Sequence, residues 1–452
     1  MFVKNEVLGL DIIGVTDKGL GYGFLNDREI RVPFTAPGDE IEVLIVKVTK
    51  TIAYGKLLSL IKSSSLRVAP PCPIFAKCGG CQLQHLNSDS QEQFKRDSLQ
   101  SAFEGKGLSL PRISYVRTEP FHYRYKAQYG VSKNEDGQYV VGLSAMRSQR
   151  LVDCETCAIQ NPVTNEALAL FRDFLTRYQA PVFNPKTGES GIAHLWMRVG
   201  EDASGDSSLM LSVVSSTPLP DYHEPLIKHL TALPELKSVY FSYNDNPEWT
   251  ILGDENTLIW GDPSISTVIN GIEQPLSLHS FSQANHKGTA VLWEQVLSFL
   301  DPRGSESLLE LYCGAGGLSC FLAPYYTSIV GMELSASAIK DAQALSKRLG
   351  LSHLHFVKGD VLQSLDAYSE RPDHVLCDPP RRGMDKAVID EIIKKDPQKI
   401  VYVSCSEKTL ARDIVLFERA GYEIKACTMM DLFAQTYHME SLLLLEKTPK
   451  SV

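Results

Sequence analysis

The sequence predicts an α/β protein in which a Rossmann-like, doubly wound domain follows a small β-barrel and a mixed α+β segment. Three observations carry that expectation. From about residue 275 onward the chain alternates strand, glycine-bearing turn, helix and strand, the pattern of a mostly parallel sheet covered on both faces. The first sixty or so residues instead hold short strands broken by turns, as in a small closed barrel. Between the two lies a cysteine-rich loop, followed by strands mixed with short helices. The expected boundaries are residues 1–62, 63–270 and 271–452.

The amino-terminal strands begin at Ile12-Ile13-Gly14 and continue through Gly19-Leu-Gly-Tyr-Gly23 and Glu29-Ile-Arg-Val-Pro33. A Pro37-Gly38 turn precedes an alternating strand over 40–48, and an apolar stretch over 57–61 supplies the fifth. Such a run suits an OB-type barrel, an architecture that commonly binds oligonucleotides. Residues 63–71 read as a linker. After cysteines at 72–81 comes a polar helix candidate over 86–104, and residues 128–141 read as a hairpin turning at Asn134-Glu-Asp-Gly137. Arg112, Arg117, Arg124, Lys126, Arg147 and Arg150 scatter positive charge here, with Phe121, Tyr123, Tyr125 and Tyr129 between them. That pattern fits a nucleic-acid surface and a solvated sheet face equally. In the last part the candidate strands are 307–312, 328–332, 355–357, 374–377, 400–403, 423–428 and 441–445, with helices clearest at 337–349 and 409–420.

A chain of 452 residues is too long for one ordinary core, in line with this division. No apolar run approaches the length of a bilayer span, and the first residues lack a basic stretch followed by an apolar one. A membrane protein and a secreted one are therefore both disfavoured, and the cytoplasm is the expected compartment. Ten cysteines in such a chain read as metal ligands, nucleophiles or core residues, not as a disulfide framework. A net charge of −9 with a pI near 5.7 repels polyanions, so an enzyme of this sequence acting on nucleic acid must segregate its Lys and Arg to one face.

The chemistry-bearing residues cluster at predicted strand ends. Leu308-Leu-Glu-Leu-Tyr312-Cys-Gly-Ala-Gly-Gly317 places a glycine turn between a strand and a helix, where a ligand can approach the backbone closely. Glu333 ends the next strand, where a carboxylate can accept hydrogen bonds from two ribose hydroxyls, and Asp360 ends the third, in reach of an adenine. A series of acids beside a glycine turn describes a methyl-donor nucleoside site; helix capping accounts for each acid singly but not for the series. Asp378-Pro-Pro-Arg381 follows the fourth strand. Amine-directed nucleic-acid methylases resemble it but carry an aromatic where Arg381 stands, which disfavours transfer to an exocyclic amine. Cys405 ends the fifth strand, the edge where open α/β sheets place ligands. A thiolate there can add to C6 of a uracil, making C5 nucleophilic, and Glu440, just before the last strand, is placed to remove the C5 proton afterwards. Cys72, Cys78 and Cys81 are spaced to share a metal centre, with Cys154 or Cys157 as fourth ligand and either zinc or a cubane iron–sulfur cluster as occupant.

Together these residues resemble the RNA uracil-C5 methyltransferase family, particularly its bacterial 23S ribosomal RNA members, over nearly the whole chain. Gly19-Leu-Gly-Tyr-Gly23, Val32-Pro33 and Pro37-Gly-Asp-Glu40 are similar to the family's TRAM domain, an OB-like barrel that helps hold RNA. The stretch from Cys72 to Leu86 is similar to its [4Fe–4S] motif, and the family context of the fourth ligand selects Cys157. Phe281-Ser-Gln283-Ala-Asn285 resembles a donor-binding segment. The resemblance thus implies a class I methyltransferase domain behind a central iron–sulfur RNA-binding domain. It also implies S-adenosyl-L-methionine bound through Gln283, Tyr312, Glu333 and Asp378, with Cys405 as nucleophile and Glu440 as base. The expected partner is RNA, 23S ribosomal RNA first and transfer RNA as the alternative, for a monomeric enzyme that touches no membrane. A rival from another class is an RNA-binding assembly factor without catalysis, which leaves the Cys405–Glu440 pair unexplained. The departures are local: Tyr125, Ser406-Glu407 and Ala434 replace the family's usual residues.

Overall fold

The structure, a computed structural model, describes residues 3–218, 223–247, 251–280 and 282–448. Its amino-terminal unit is a six-stranded sheet in the order Val7–Asp11, Glu40–Val48, Ile52–Lys62, Arg28–Pro33, Leu20–Leu25, Gly14–Val15. Alternate side chains turn inward, as a period of two requires: Ile30 and Val32 from one strand, and Ile41, Val43 and Ile45 from another, are fully buried. The N–H of Ile13 donates to the carbonyl of Tyr22 at 2.9 Å and closes the sheet on itself. Closure is tight at Gly23, where a Cβ would lie 2.1 Å from the Asp11 carbonyl oxygen. The stretch at 57–61 is not a separate strand but the tail of Ile52–Lys62. Gly55 does not interrupt it, because its bare Cα is what admits the Val43 side chain.

The middle of the chain builds a seven-stranded sheet in the order Leu151–Asp153, Tyr139–Ser144, Lys126–Lys133, Ile192–Glu201, Ser207–Ser215, Leu236–Tyr243, Glu255–Gly261. The hairpin turns as expected, with Asn134 Oδ1 accepting from the N–H groups of Asp136 and Gln138. Helix Pro162–Tyr178 covers the sheet. Asn161 caps it, Pro162 occupies its first position, and Val163, Ala167, Leu168, Phe171, Phe174 and Leu175 form the buried stripe.

The carboxyl-terminal sheet has eight strands in the order Leu354–Lys358, Ser328–Glu333, Ser307–Leu311, His374–Cys377, Lys399–Ser404, Glu440–Lys447, Tyr422–Met430, Ile113–Val116. The first five run parallel, and Glu440–Lys447 is antiparallel to both its neighbours. Helices Ala336–Arg348 and Glu407–Arg419 stand where the periodicity puts them. The boundary expected at residue 270 is crossed, however. Helix Ser88–Glu104 packs on Glu407–Arg419, and Ile113–Val116 pairs with Tyr422–Met430. An exposed sheet edge is thereby covered by a segment from the middle of the chain. No described helix is long and apolar enough to cross a membrane.

Candidate active site

The glycine turn and its acids come together at the carboxyl edge of the parallel sheet. Tyr312 leaves its strand at φ 64°, and Gly314 and Gly316 follow at 56° and 73°. The N–H of Gly314 donates to Glu333 Oε2 at 3.3 Å, and that of Ser335 to Oε1 at 2.8 Å, so Glu333 stands directly against the turn. Asp360 lies on the next strand end, exposed, and caps helix Val361–Ala367 by accepting from the N–H groups of Leu362 and Gln363. The capping role weighed against a ligand role is thus real for this residue. Gln283 is half-buried just before helix His286–Leu300; Phe281, from the same motif, lies outside the described residues. Glu310 escaped the sequence reading because it sits inside an apolar strand. It is buried, accepts a hydrogen bond from Ser319, and is pushed up to about 8 by that burial, so it is largely protonated at neutral pH. A lone acid in Leu-Leu-Glu-Leu was the available signal.

Cys405 and Glu440 are brought together by strand register. Antiparallel pairing runs as far as Ser404 opposite Ser441. The next residues along the two strands are Cys405 and Glu440, and the Glu440 charge bears on the Cys405 thiol. Glu440 is 5% exposed, and its carboxyl is held well above the usual carboxylate range by burial and then by Asp378, against the pull of Arg381. Asp378 is itself raised to about 7 by burial. The Cys405 thiol is pushed up by burial and by Glu440, while the nearby Arg381 guanidinium opposes this. His438 is pulled down to about 4 by burial and by Arg381, and is therefore neutral. Arg381 and His438 join the site unforeseen, the first having been read only as a missing aromatic.

The loop that ends at Glu440 is fixed from outside. Lys95 Nζ meets Asp431 Oδ1 at 2.5 Å, and the Tyr115 hydroxyl donates to Oδ2 at 3.0 Å. Asn285 Nδ2 donates to the Leu432 carbonyl at 3.0 Å, the Tyr123 hydroxyl to the Ala434 carbonyl at 2.8 Å, and the N–H of Leu83 to the Gln435 carbonyl at 2.9 Å.

Beside this centre is a cavity of about 530 Å³. Cys72, Cys78, Cys81 and Cys157 line one part of it, and Gln283, Arg381, Phe433 and His438 another. Cys154 does not line it, and its thiol donates instead to the Thr156 carbonyl. One sulfur in the cavity receives a donor that suits a thiolate, the N–H of Gly80 on Cys78 at 3.3 Å, while the N–H of Gln160 donates to the Cys157 carbonyl at 3.2 Å. Among the described residues no three His, Cys, Asp or Glu side chains converge tightly enough to hold a single metal ion. The donor set suits a sulfur-ligated group, then, but its present spacing is not that of a lone zinc ion, which sits about 2.3 Å from each sulfur.

The family model described as tRNA (Uracil-5-)-methyltransferase matches residues 273–448, and that of the tRNA (uracil(54)-C(5))-methyltransferase TRAM domain matches residues 11–66. An uncharacterized RNA methyltransferase of Halalkalibacterium halodurans is 33% identical, over 98% of this chain and 97% of its own. Another, from Clostridium tetani, is 32% identical, over 98% and 96%. Among solved structures, the Pyrococcus abyssi tRNA (uracil-54, C5)-methyltransferase in complex with S-adenosyl-L-homocysteine is similar at a TM-score of 0.79 and 26% identity, covering 97% of this chain and 100% of that one.

Proposed function

The chain belongs to the RNA uracil-C5 methyltransferase family, whose members depend on S-adenosyl-L-methionine, and we propose that it methylates C5 of a specific uridine in 23S ribosomal RNA through a covalent bond between Cys405 and C6 of the base. The observation that carries this reading is the pairing of Ser404 with Ser441, which brings the next residues, Cys405 and Glu440, to one edge of the sheet, where the charges of Glu440 and Arg381 both bear on the thiol. S-adenosyl-L-methionine supplies the electrophilic methyl group and a sulfonium charge. Glu333 takes the donor's ribose hydroxyls and Asp360 its adenine edge, while Gln283, Tyr312 and Asp378 complete the pocket. Arg381 favours the Cys405 thiolate, which bonds to C6 and drives the ring electrons toward the C4 oxygen as an enolate. C5 then takes the methyl group. Glu440, as carboxylate, removes the C5 proton, and the electrons return to expel Cys405. The target base must leave its stack to reach this centre.

In the same reading Cys72, Cys78, Cys81 and Cys157 hold a [4Fe–4S] cluster. Their shared cavity and the Gly80 N–H on Cys78 support it, and a cluster spaces its four thiolates farther apart than one ion does. Its contribution would be a rigid cross-link between the cysteine loop and the middle sheet. The ribosomal substrate rests on the likeness of the cysteine motif to ribosomal RNA members. A transfer RNA substrate is the second reading, favoured by the specificity stated for the Pyrococcus abyssi relative.

Two measurements test the proposal. RNA carrying 5-fluorouridine at the target should form a complex with the enzyme that survives denaturing electrophoresis, because fluorine cannot leave as a cation. Absence of that complex would overturn the covalent mechanism. Mapping 5-methyluridine in ribosomal and transfer RNA, with and without the enzyme in the cell, decides the substrate; loss of the mark from transfer RNA alone would replace the ribosomal reading.

A further inference from the structure

The turn that carries Arg381 is clamped by one buried carboxylate. Asp413 lies on helix Glu407–Arg419, which starts just after Cys405, and is 1% exposed. Its Oδ2 accepts from the Tyr402 hydroxyl at 2.7 Å and from the N–H of Met384 at 2.8 Å, and its Oδ1 from Arg412 Nε at 2.7 Å. Arg412 Nη2 in turn donates to the carbonyls of Arg382 and Met384 at 3.0 Å each. The Thr409 hydroxyl stands 3.2 Å from the carbonyls of Arg381 and Ser406. The turn itself closes with the N–H of Gly383 on the Pro380 carbonyl at 2.8 Å. Gly383 has φ 72°, and a Cβ there would lie 2.6 Å from Asp413 Oδ2, so only glycine lets the turn come this close. One oxygen thus holds both Tyr402, on the strand that leads into Cys405, and Met384, on the turn after Arg381.

Position matters here because Arg381 is exposed and acts through its charge. Burial and then Glu440 raise the Cys405 thiol, Arg381 lowers it, and Asp378 raises it again. A charge–charge interaction weakens with distance and weakens further in water, so a few ångströms of drift would remove it. Arg381, Arg382 and Arg412 also repel one another, and Asp413 is the buried counter-charge among them. We propose that Asp413 is a positioning residue for the methyl transfer: by fixing the turn at 380–384 it holds the Arg381 guanidinium near the Cys405 thiolate. The inference rests on the reading of Cys405 as the nucleophile. Buried as it is, Asp413 acts through Met384 and Arg412 and not on the base. Its loss also carries a distinctive sign. Deleting a carboxylate near a thiol by itself eases ionisation of that thiol, whereas releasing Arg381 makes ionisation harder.

The test follows alkylation of Cys405 by iodoacetamide against pH in the full chain, read on the Cys405 peptide by mass spectrometry. Asp413→Asn keeps the size of the side chain but sets an amide nitrogen against either Met384 or Arg412. Its alkylation midpoint should rise by about one pH unit, as it should in Arg381→Met. Asp413→Asn should add nothing in the Arg381→Met background, because the two residues act as one unit. Methylation kcat should fall about tenfold, in step with the thiolate lost at a pH below the midpoint. An unchanged or lowered midpoint in Asp413→Asn protein that still binds S-adenosylhomocysteine would overturn the proposal. So would shifts that add in the double variant. If Asp413→Asn does not fold, Gly383→Ala decides: it changes no charge, drives the turn off the clamp and should raise the midpoint, and an unchanged midpoint there overturns the proposal as well. Trapping of the wild type by 5-fluorouridine RNA, with no midpoint shift in the variants, discards the role of Asp413 and keeps the methylation reading. A midpoint shift without trapping keeps Asp413 as the anchor of Arg381 and discards the covalent mechanism.

Discussion

Burial raises both the Cys405 thiol and the Glu440 carboxyl, and so disfavours the charged form that the proposed chemistry asks of each. The Arg381 guanidinium opposes both shifts. Cys405→Ala should therefore abolish methylation while donor binding, measured calorimetrically, stays intact. Glu440→Gln blocks a later step. Turnover should fall ~10²–10⁴-fold, and RNA already methylated should accumulate as a denaturation-resistant adduct. The same burial has a stability signature. Glu440 and Asp378 have folded pKa values above their unfolded ones, so their contribution to stability is full below the unfolded pKa and is lost as pH rises through the folded one. For Asp378 that window runs from 3.8 to about 7. Asp378→Asn and Glu440→Gln should thus unfold at higher temperature than the wild type at pH 7.5, by ~2–4 °C for each kcal/mol recovered, with the gain vanishing toward pH 4. At the cysteines, protein prepared without oxygen should carry about four irons per chain; Cys157→Ser should lose them and Cys154→Ser should keep them, by metal analysis.

At the scale of elements, the loop from Asp431 to Glu440 is held by parts of the chain remote in sequence. Its first residue is locked by Lys95 and Tyr115, on the helix and strand that cross from the middle segment to the catalytic sheet. Lys95→Met leaves the Asp431 charge buried and unpaired, a change that costs about 3–5 kcal/mol. It should lower kcat and enrich the covalent adduct, since Glu440 loses its seat, while KM for S-adenosyl-L-methionine holds. A fall in both parameters together would point to general unfolding instead. Tyr125 shows how an element can absorb a departure from the family pattern. Its ring stacks on His286 at 4.4 Å, its hydroxyl donates to Glu201 at 2.7 Å, and its N–H donates to the Ala284 carbonyl at 2.7 Å. The residue thus braces the segment that carries Gln283.

For the whole molecule, the barrel is not a loose appendage. Phe34 packs edge-on against Phe75 in the cysteine loop at 5.2 Å, Arg67 grips Asp39 at 2.7 Å, and Lys408 of the catalytic domain pairs with Asp17. Removing residues 1–62 should weaken RNA binding and flatten its salt dependence, with donor affinity nearly unchanged. Because Phe75 then loses Phe34, and His85 the Thr35 carbonyl 3.2 Å away, the truncated protein should also hold the proposed cluster less firmly. Truncated protein that binds and methylates RNA as well as the full chain would deny the barrel its role.

What the sequence determined by itself was whatever depends on local pattern. The period-two barrel strands, the strand–turn–helix alternation, the capped helices and the short spacing of Cys72, Cys78 and Cys81 are all written within a few residues of one another. Glu333 beside the glycine turn was legible for the same reason, since strand ends in a parallel sheet converge on one edge. Tertiary structure alone decided the rest. The register that brings Cys405 and Glu440 to one edge, the edge strand Ile113–Val116 recruited across an expected boundary, and the buried Lys95–Asp431 pair join residues tens or hundreds apart. So does the cavity that sets Arg124 and Lys126 beside Arg381. Burial and pairing of charge depend on what the remainder of the chain folds against a side chain, and no window along the sequence contains that.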